Sequence, residues 1–216
     1  DRIAIFGYAH LPDRMKHQRL MPKDELPDAR ERFAQSSALA RRLAEHGYVR
    51  IGLDHFAKPQ DALAAGSIAR NFQGYTTDRC DALLGIGASA IGRLPQGYVQ
   101  NAVAVADYSR RIQAYGLATA KGLALTRDDT VRGYVIERLM CDLALSGRDV
   151  RGRFGRAADA VLAEAEALVE ADGDGLVERS ADGFVVTERG RPFIRSICSA
   201  FDAYLDRSAA RHSVGV

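Results

Sequence analysis

The chain has 216 residues, enough for one large domain or two small ones and for a core that takes about 70% of the unfolded surface out of water. A composition of 47% hydrophobic and 27% charged residues excludes extensive disorder. Thirty basic against 28 acidic side chains leave a formal charge of +2, too little for a general nucleic-acid-binding field, and no apolar run approaches the roughly 18 residues of a membrane span.

The chain opens Asp1-Arg2-Ile3-Ala4-Ile5-Phe6, which reads as a strand over residues 3–6 and not as a signal segment. A domain that starts inside a strand is expected to be a piece of a longer chain. Residues 10–27 carry Pro12, Pro22 and Pro27 and read as a long irregular loop, the kind that is functional or disordered in a compact domain. Asp28 is placed to cap a helix whose Phe33, Leu39, Ala40 and Leu43 share a face, and Gly47 is placed to stop it. A strand over 48–53, a loop or short helix over 58–70, a buried strand over 81–86 and a helix over 101–115 stopped by Gly116 follow. Alternation of this kind predicts an α/β fold with a parallel sheet, its working residues on loops at the strand ends.

The character changes near Thr126. Thr126-Arg127-Asp128-Asp129 has capping-box spacing ahead of a helix carrying Val135, Ile136, Leu139, Met140 and Leu143. An Ala- and Glu-rich helix over 157–171, a hairpin of 176–179 with 184–187, and a last helix with Phe193, Ile194, Ile197, Phe201, Tyr204 and Leu205 complete a helical, winged-helix-like region. The predicted division is therefore 1–125 and 126–216.

Cys80, Cys141 and Cys198 are odd in number and far apart, so neither a disulfide framework nor a metal cradle is expected, and a reducing cytoplasm fits. Gly85-Ile86-Gly87 follows a predicted strand, but the next glycine is Gly92 and the dinucleotide register fails; close backbone approach or tight packing are the two readings. His10, His17, His46, His55 and His212 lack metal spacing. His46 and His212 read as ordinary surface residues, whereas His10 and His55 directly follow predicted strands. The segment 71–77 gathers an aromatic ring, two amides, a glycine, a tyrosine and two threonines, a set able to stack on a ring and hydrogen-bond polar groups, or simply a polar surface loop. Arg189, Arg191 and Arg195 invite a DNA-binding reading of the tail, but Glu164, Glu166, Glu170, Asp172 and Asp174 dilute any basic face, so packing is the better expectation.

A group of motifs then resembles one family. They are Tyr8-Ala9-His10-Leu11-Pro12, Gln18-Arg19, Gly52-Leu53-Asp54-His55-Phe56-Ala57, Arg70-Asn71-Phe72-Gln73-Gly74-Tyr75-Thr76-Thr77, Leu84-Gly85-Ile86-Gly87-Ala88-Ser89-Ala90-Ile91, Leu125-Thr126-Arg127-Asp128-Asp129 and the stretch from Gly190-Arg191 to Phe201-Asp202. In order and spacing they resemble the oxygen-independent coproporphyrinogen III oxidases, radical S-adenosylmethionine enzymes of haem biosynthesis. The resemblance covers the family's C-terminal half, with 63–68 shorter than its pattern. It implies the last strands of a partial (β/α) barrel followed by the helical domain, and oxidative decarboxylation of two propionates of coproporphyrinogen III to vinyl groups, giving protoporphyrinogen IX.

It also implies two S-adenosylmethionine molecules and a [4Fe–4S] cluster held by an N-terminal half, so this stretch alone is expected to be inactive, with no catalytic residue or metal ligand of its own. By motif, Phe6 and Ala9 match positions near the cofactor molecules, and Phe72, Gln73 and Ile91 the pocket of the second. His10, Arg19, His55 and Arg70 are candidates for substrate carboxylates, arginine because its fork matches a carboxylate. Implied partners are coproporphyrinogen III and an electron donor such as flavodoxin or ferredoxin, with no nucleic acid and no membrane, in the cytoplasm. Two alternatives remain: a haem chaperone of the same superfamily, which diverges in the Asn-Phe-Gln-Gly-Tyr-Thr-Thr segment, and a non-catalytic winged-helix regulator.

Overall fold

The computed structural model describes residues 1–13 and 15–205; the reading of His212 lies outside them. β1 (Arg2–Ala4) ends two residues earlier than expected. The loop that follows is organised by two 3-10 turns, Lys16–Leu20 and Lys23–Glu25, around the buried Gln18. The Gln18 amide accepts from Leu11 N (2.5 Å) and donates to the Ala9 carbonyl (3.0 Å), which ties the loop to itself. α1 (Ala29–Glu45) starts at Asp28 in a reciprocal capping box with Glu31 and ends at Gly47, φ 75°.

The expected single strand over 48–53 is a hairpin instead. β2 (Val49–Ile51) turns at Gly52, φ 53°, into β3 (His55–Ala57). A Cβ on Gly52 would lie 2.2 Å from the Tyr75 ring, so only glycine fits there. β3 sits between β1 and β2 in an antiparallel sheet. α2 (Ala62–Ala65) leads to a second hairpin, β4 (Ala69–Asn71) and β5 (Gly74–Thr76), turning at Phe72-Gln73.

Residues 81–86 do not form the expected buried strand. Leu83 makes one bridge, to Arg93, while Leu84 and Ile86 are 75% and 90% exposed. The glycines at 85 and 87 instead let this segment fold against the next strand: a Cβ on Gly85 would come within 2.9 Å of the Ile91 backbone. β6 (Ile91–Leu94), β7 (Gly97–Asn101) and β8 (Thr119–Ala124) form a third sheet, with α3 (Val105–Tyr115) joining β7 to β8. Residues 101–104, expected to be helical, finish β7 and lead into α3; Gly116 stops the helix at φ 72°, as its position predicts.

Every strand pairing among the described residues is antiparallel, so the predicted parallel sheet is corrected. The strands are only three to six residues long; tight hairpins at Gly52, Phe72-Gln73 and Gln96 reverse the chain, and α3, which does connect two neighbouring strands, returns β8 antiparallel to β7. The fold remains mixed α/β.

The second half follows its sequence signals more closely. α4 (Arg127–Asp142) begins with a reciprocal Thr126–Asp129 capping box. It is followed by β9 (Ala144–Ser146), α5 (Gly147–Phe154), α6 (Asp159–Ala171), the hairpin β10 (Val177–Ser180)–β11 (Gly183–Val186) and α7 (Ile194–Ser199). β9 was not foreseen; it pairs with β11 in a sheet ordered β10-β11-β9. The last helix is shorter than expected, because Phe201 folds beneath α7 as a fully buried plug while Tyr204 is exposed. Val131, Val135 and Leu139 on one face of α4, with Phe184, Ile194 and Phe201, build the main core; each such buried side chain contributes about 1.5–3 kcal/mol. Leu53 enters this core from the first half, and Cys141 of α4 enters the smaller core of Ile51, Ala57, Leu63, Ile68 and Tyr75.

Candidate functional site

The β2–β3 turn, the β4–β5 hairpin and α7 converge on Asp54, His55 and Tyr75. Asp54 and Tyr75 are buried, and the His55 side chain is 15% exposed. Asp54 Oδ1 lies at hydrogen-bond distance from His55 Nδ1 (2.7 Å), and Oδ2 accepts from Arg195 Nη2 (3.1 Å). The His55 ring lies edge-on between Tyr75 and Phe6, with centroids at 5.0 and 6.0 Å. The Tyr75 hydroxyl accepts from Leu53 N (3.1 Å) and donates to the Met140 carbonyl (2.9 Å). Burial pushes this phenol up to about 12, so it stays a neutral donor.

Arginines ring this centre. Arg191 Nε donates to the Gly52 carbonyl (3.0 Å), and Arg50 donates twice to the Leu53 carbonyl (3.2 and 3.0 Å). Burial lowers the pKa of both, and for Arg50 the charge of Arg191 lowers it further. Arg70 lies over the Tyr75 ring at 5.7 Å and has no carboxylate partner among the described residues; its Nε and His10 Nδ1 are buried polar atoms without a hydrogen-bond partner. An unpaired buried donor costs about 1–3 kcal/mol, so both atoms have reason to meet a ligand. A cleft of about 340 Å³ opens beside the centre, walled by Phe6, Tyr8, Ala9, Leu39, Asp54 and Arg195.

A second arrangement carries Phe72, Gln73 and Ile91. Phe72 is 56% exposed and meets the Tyr98 ring edge-on at 5.3 Å. Register pairs Ile91 with Gln100 and Arg93 with Tyr98, and strand alternation puts all four on one face of the β6–β7 sheet. Phe72 therefore lies on the Ile91 face. Asn101 holds the adjoining glycine turn, donating to the Gly85 and Gly87 carbonyls (both 3.0 Å), and a Cβ on Gly87 would meet nothing within 4 Å. An open aromatic face, an exposed amide and an unobstructed glycine turn suit an adenosyl group.

The structure thus brings Phe6, His55 and Arg70 into one cluster about Tyr75, and Phe72 and Ile91 onto one face. Ala9 lines the cleft, and His10 sits next to it with its ring 6.0 Å from that of Tyr8. Arg19 stands apart: its Nε donates to the Pro12 carbonyl (3.1 Å) within its own loop. Asp54, Tyr75 and Arg195 were not among the expected site residues, although Asp54 and Tyr75 stand inside the family-like motifs and Tyr75 in the 71–77 segment. Among the described residues no group of three or more His, Cys, Asp or Glu is placed to hold a metal ion.

Comparison with known proteins places this geometry. Residues 125–193 match the HemN C-terminal domain family. Over its full length the chain is 48% identical to the oxygen-independent coproporphyrinogen III oxidase of Bradyrhizobium diazoefficiens, covering 49% of that protein. It is 39% identical to that of Cereibacter sphaeroides over 99% of the chain and 48% of the relative. A solved structure described as the Escherichia coli coproporphyrinogen III oxidase HemN, a radical SAM enzyme, superposes with a TM-score of 0.87 at 38% identity, over 95% of this chain and 48% of that one. The similarity to oxygen-independent coproporphyrinogen III oxidases therefore holds along the whole chain, as its motifs indicated, and the chain spans about half the length of the curated relatives it matches.

Proposed function

We propose that the protein carrying this chain converts coproporphyrinogen III to protoporphyrinogen IX by oxidative decarboxylation of two propionates, in haem biosynthesis. The observation that supports this most is end-to-end similarity, at 48% identity, to an oxygen-independent coproporphyrinogen III oxidase. S-adenosylmethionine and a [4Fe–4S] cluster, when bound, would supply the one-electron chemistry that removes a propionate hydrogen. The cluster's ligands come from residues outside this chain, and two S-adenosylmethionine molecules bind in all.

In this reading Phe6 and Ala9 flank one cofactor molecule, and Phe72, Gln73 and Ile91 hold the second by ring contact, amide hydrogen bonding and apolar cover. Arg70, the half-buried guanidinium with an unused donor, takes a substrate carboxylate, and His10 and His55 complete the polar wall. Arg19, bonded to its own loop, is the weakest of the four carboxylate candidates. Residues 1–125 complete a partial (β/α) barrel, and 126–216 form a winged-helix-like domain whose role is packing. An electron-transfer protein such as flavodoxin or ferredoxin is the donor, and the setting is the cytoplasm, without nucleic acid or membrane.

The test is anaerobic incubation of the protein with coproporphyrinogen III, S-adenosylmethionine and a low-potential reductant. The proposal expects protoporphyrinogen IX together with 5′-deoxyadenosine. Haem capture and transfer without turnover would overturn it in favour of a chaperone. Salt-sensitive duplex binding by 126–216, again without turnover, would overturn it in favour of a regulator.

A further inference from the structure

The Asp54 carboxylate is divided between two halves of the chain. One oxygen serves His55, its neighbour; the other serves Arg195 on α7, 141 residues away. An ionised carboxylate only accepts, so the His55 Nδ1 bears the proton in this bond. The ring's other nitrogen, Nε2, faces the β4–β5 turn at Gly74. A Cβ there would come within 2.9 Å of Nε2, so glycine at φ 122° keeps that approach open.

We infer that Arg195, in the C-terminal domain, is a positioning residue: by holding Asp54 Oδ2 it fixes the carboxylate, and through it the tautomer and direction of the His55 imidazole. His55 thereby presents Nε2 as a free acceptor toward Gly74 at the start of β5. The Asp54 side chain is only 10% exposed at the cleft wall, and the Arg195 side chain, 56% exposed, reaches in from the surface for this contact. The arrangement follows a general rule: the group bonded to one ring nitrogen of a histidine determines what the other can do. It gives the helical domain a direct part in the site, independent of which reaction the site performs.

The test reads the His55 tautomer by long-range nitrogen–proton NMR in the labelled protein, with the signal assigned by its loss in His55→Gln. The unaltered protein is expected to show Nδ1–H. In Asp54→Asn, Arg195 still requires the side-chain oxygen, so the amide NH₂ turns to His55 and the ring switches to Nε2–H. Adding Arg195→Ala frees the amide to rotate, and the ring returns toward Nδ1–H. An Asp54→Asn variant that keeps Nδ1–H, or a flip that persists without Arg195, overturns the inference.

Should Asp54→Asn not fold, Arg195→Ala alone decides. The His55 Nδ1 proton is expected to exchange with solvent at least about tenfold faster, the equivalent of one charge-assisted hydrogen bond, and Arg195→Lys to restore slow exchange. Unchanged exchange in Arg195→Ala would overturn the inference. None of these readouts needs substrate, so a failure here is separate from a failure of the proposed reaction.

Discussion

Replacing Tyr75 by Phe tests whether the β4–β5 hairpin is locked to the helical domain through a single hydroxyl. That hydroxyl serves two buried backbone groups, the Leu53 N–H and the Met140 carbonyl. Met140 lies in the last turn of α4, where carbonyls lack an intrahelical partner, so Tyr75 acts as a cap supplied from another element. Phenylalanine keeps the ring and its packing and removes only the oxygen. Both backbone groups then stay buried without a partner, at about 1–2 kcal/mol each, or about 2–4 kcal/mol together. For a chain of this size that lowers Tm by about 5–15 °C. Thermal unfolding followed by circular dichroism is the assay, with Tyr115→Phe, at an exposed position, as the control expected to change nothing. A Tyr75→Phe Tm within about 1 °C of the parent would refute the reasoning, because it would mean that water reaches both groups.

Three further outcomes follow from the same contacts. Burial raises Tyr75 from 10.0, and Cys141 and Cys198 from 9.0, to about 12, so between those values the folded state holds protons that the unfolded state has lost. Stability to urea is therefore full below about pH 9 and falls as pH rises toward about 12; a midpoint that holds or rises across that window contradicts these assignments. Cys80 alone among the three free cysteines is exposed, so a thiol reagent should label one site in the folded protein and three after unfolding; prompt labelling of Cys141 or Cys198 would place them wrongly. Arg70→Ala should weaken binding of coproporphyrinogen III by about tenfold or more, the loss of a charge-assisted pair, and unchanged affinity would remove Arg70 from the site.

What the sequence made legible was local. The Asp28 cap, the Thr126 capping box, the Gly47 and Gly116 stops and a hairpin within 176–187 all formed as expected, since each signal lies within a few residues of its effect. Strand partners were not legible in the same way. Residues 48–53 and 81–86 are short, mostly apolar stretches, and nothing within them tells a parallel neighbour from an antiparallel one, or a ladder from a single bridge. The resemblance named Phe72, Gln73 and Ile91, and the fold sets Phe72 and Ile91 on one face through a register no local pattern encodes. Asp54 and Arg195 could not be paired from sequence at all, because their contact joins residues 141 apart.

The central claim, that this chain supplies half of a working coproporphyrinogen III oxidase, is tested most directly by exchange. This chain would replace the corresponding segment of the Escherichia coli enzyme, and the purified chimera would be assayed anaerobically. The account predicts an iron-loaded chimera that turns coproporphyrinogen III into protoporphyrinogen IX. A folded, iron-loaded chimera that leaves coproporphyrinogen III unchanged would contradict it.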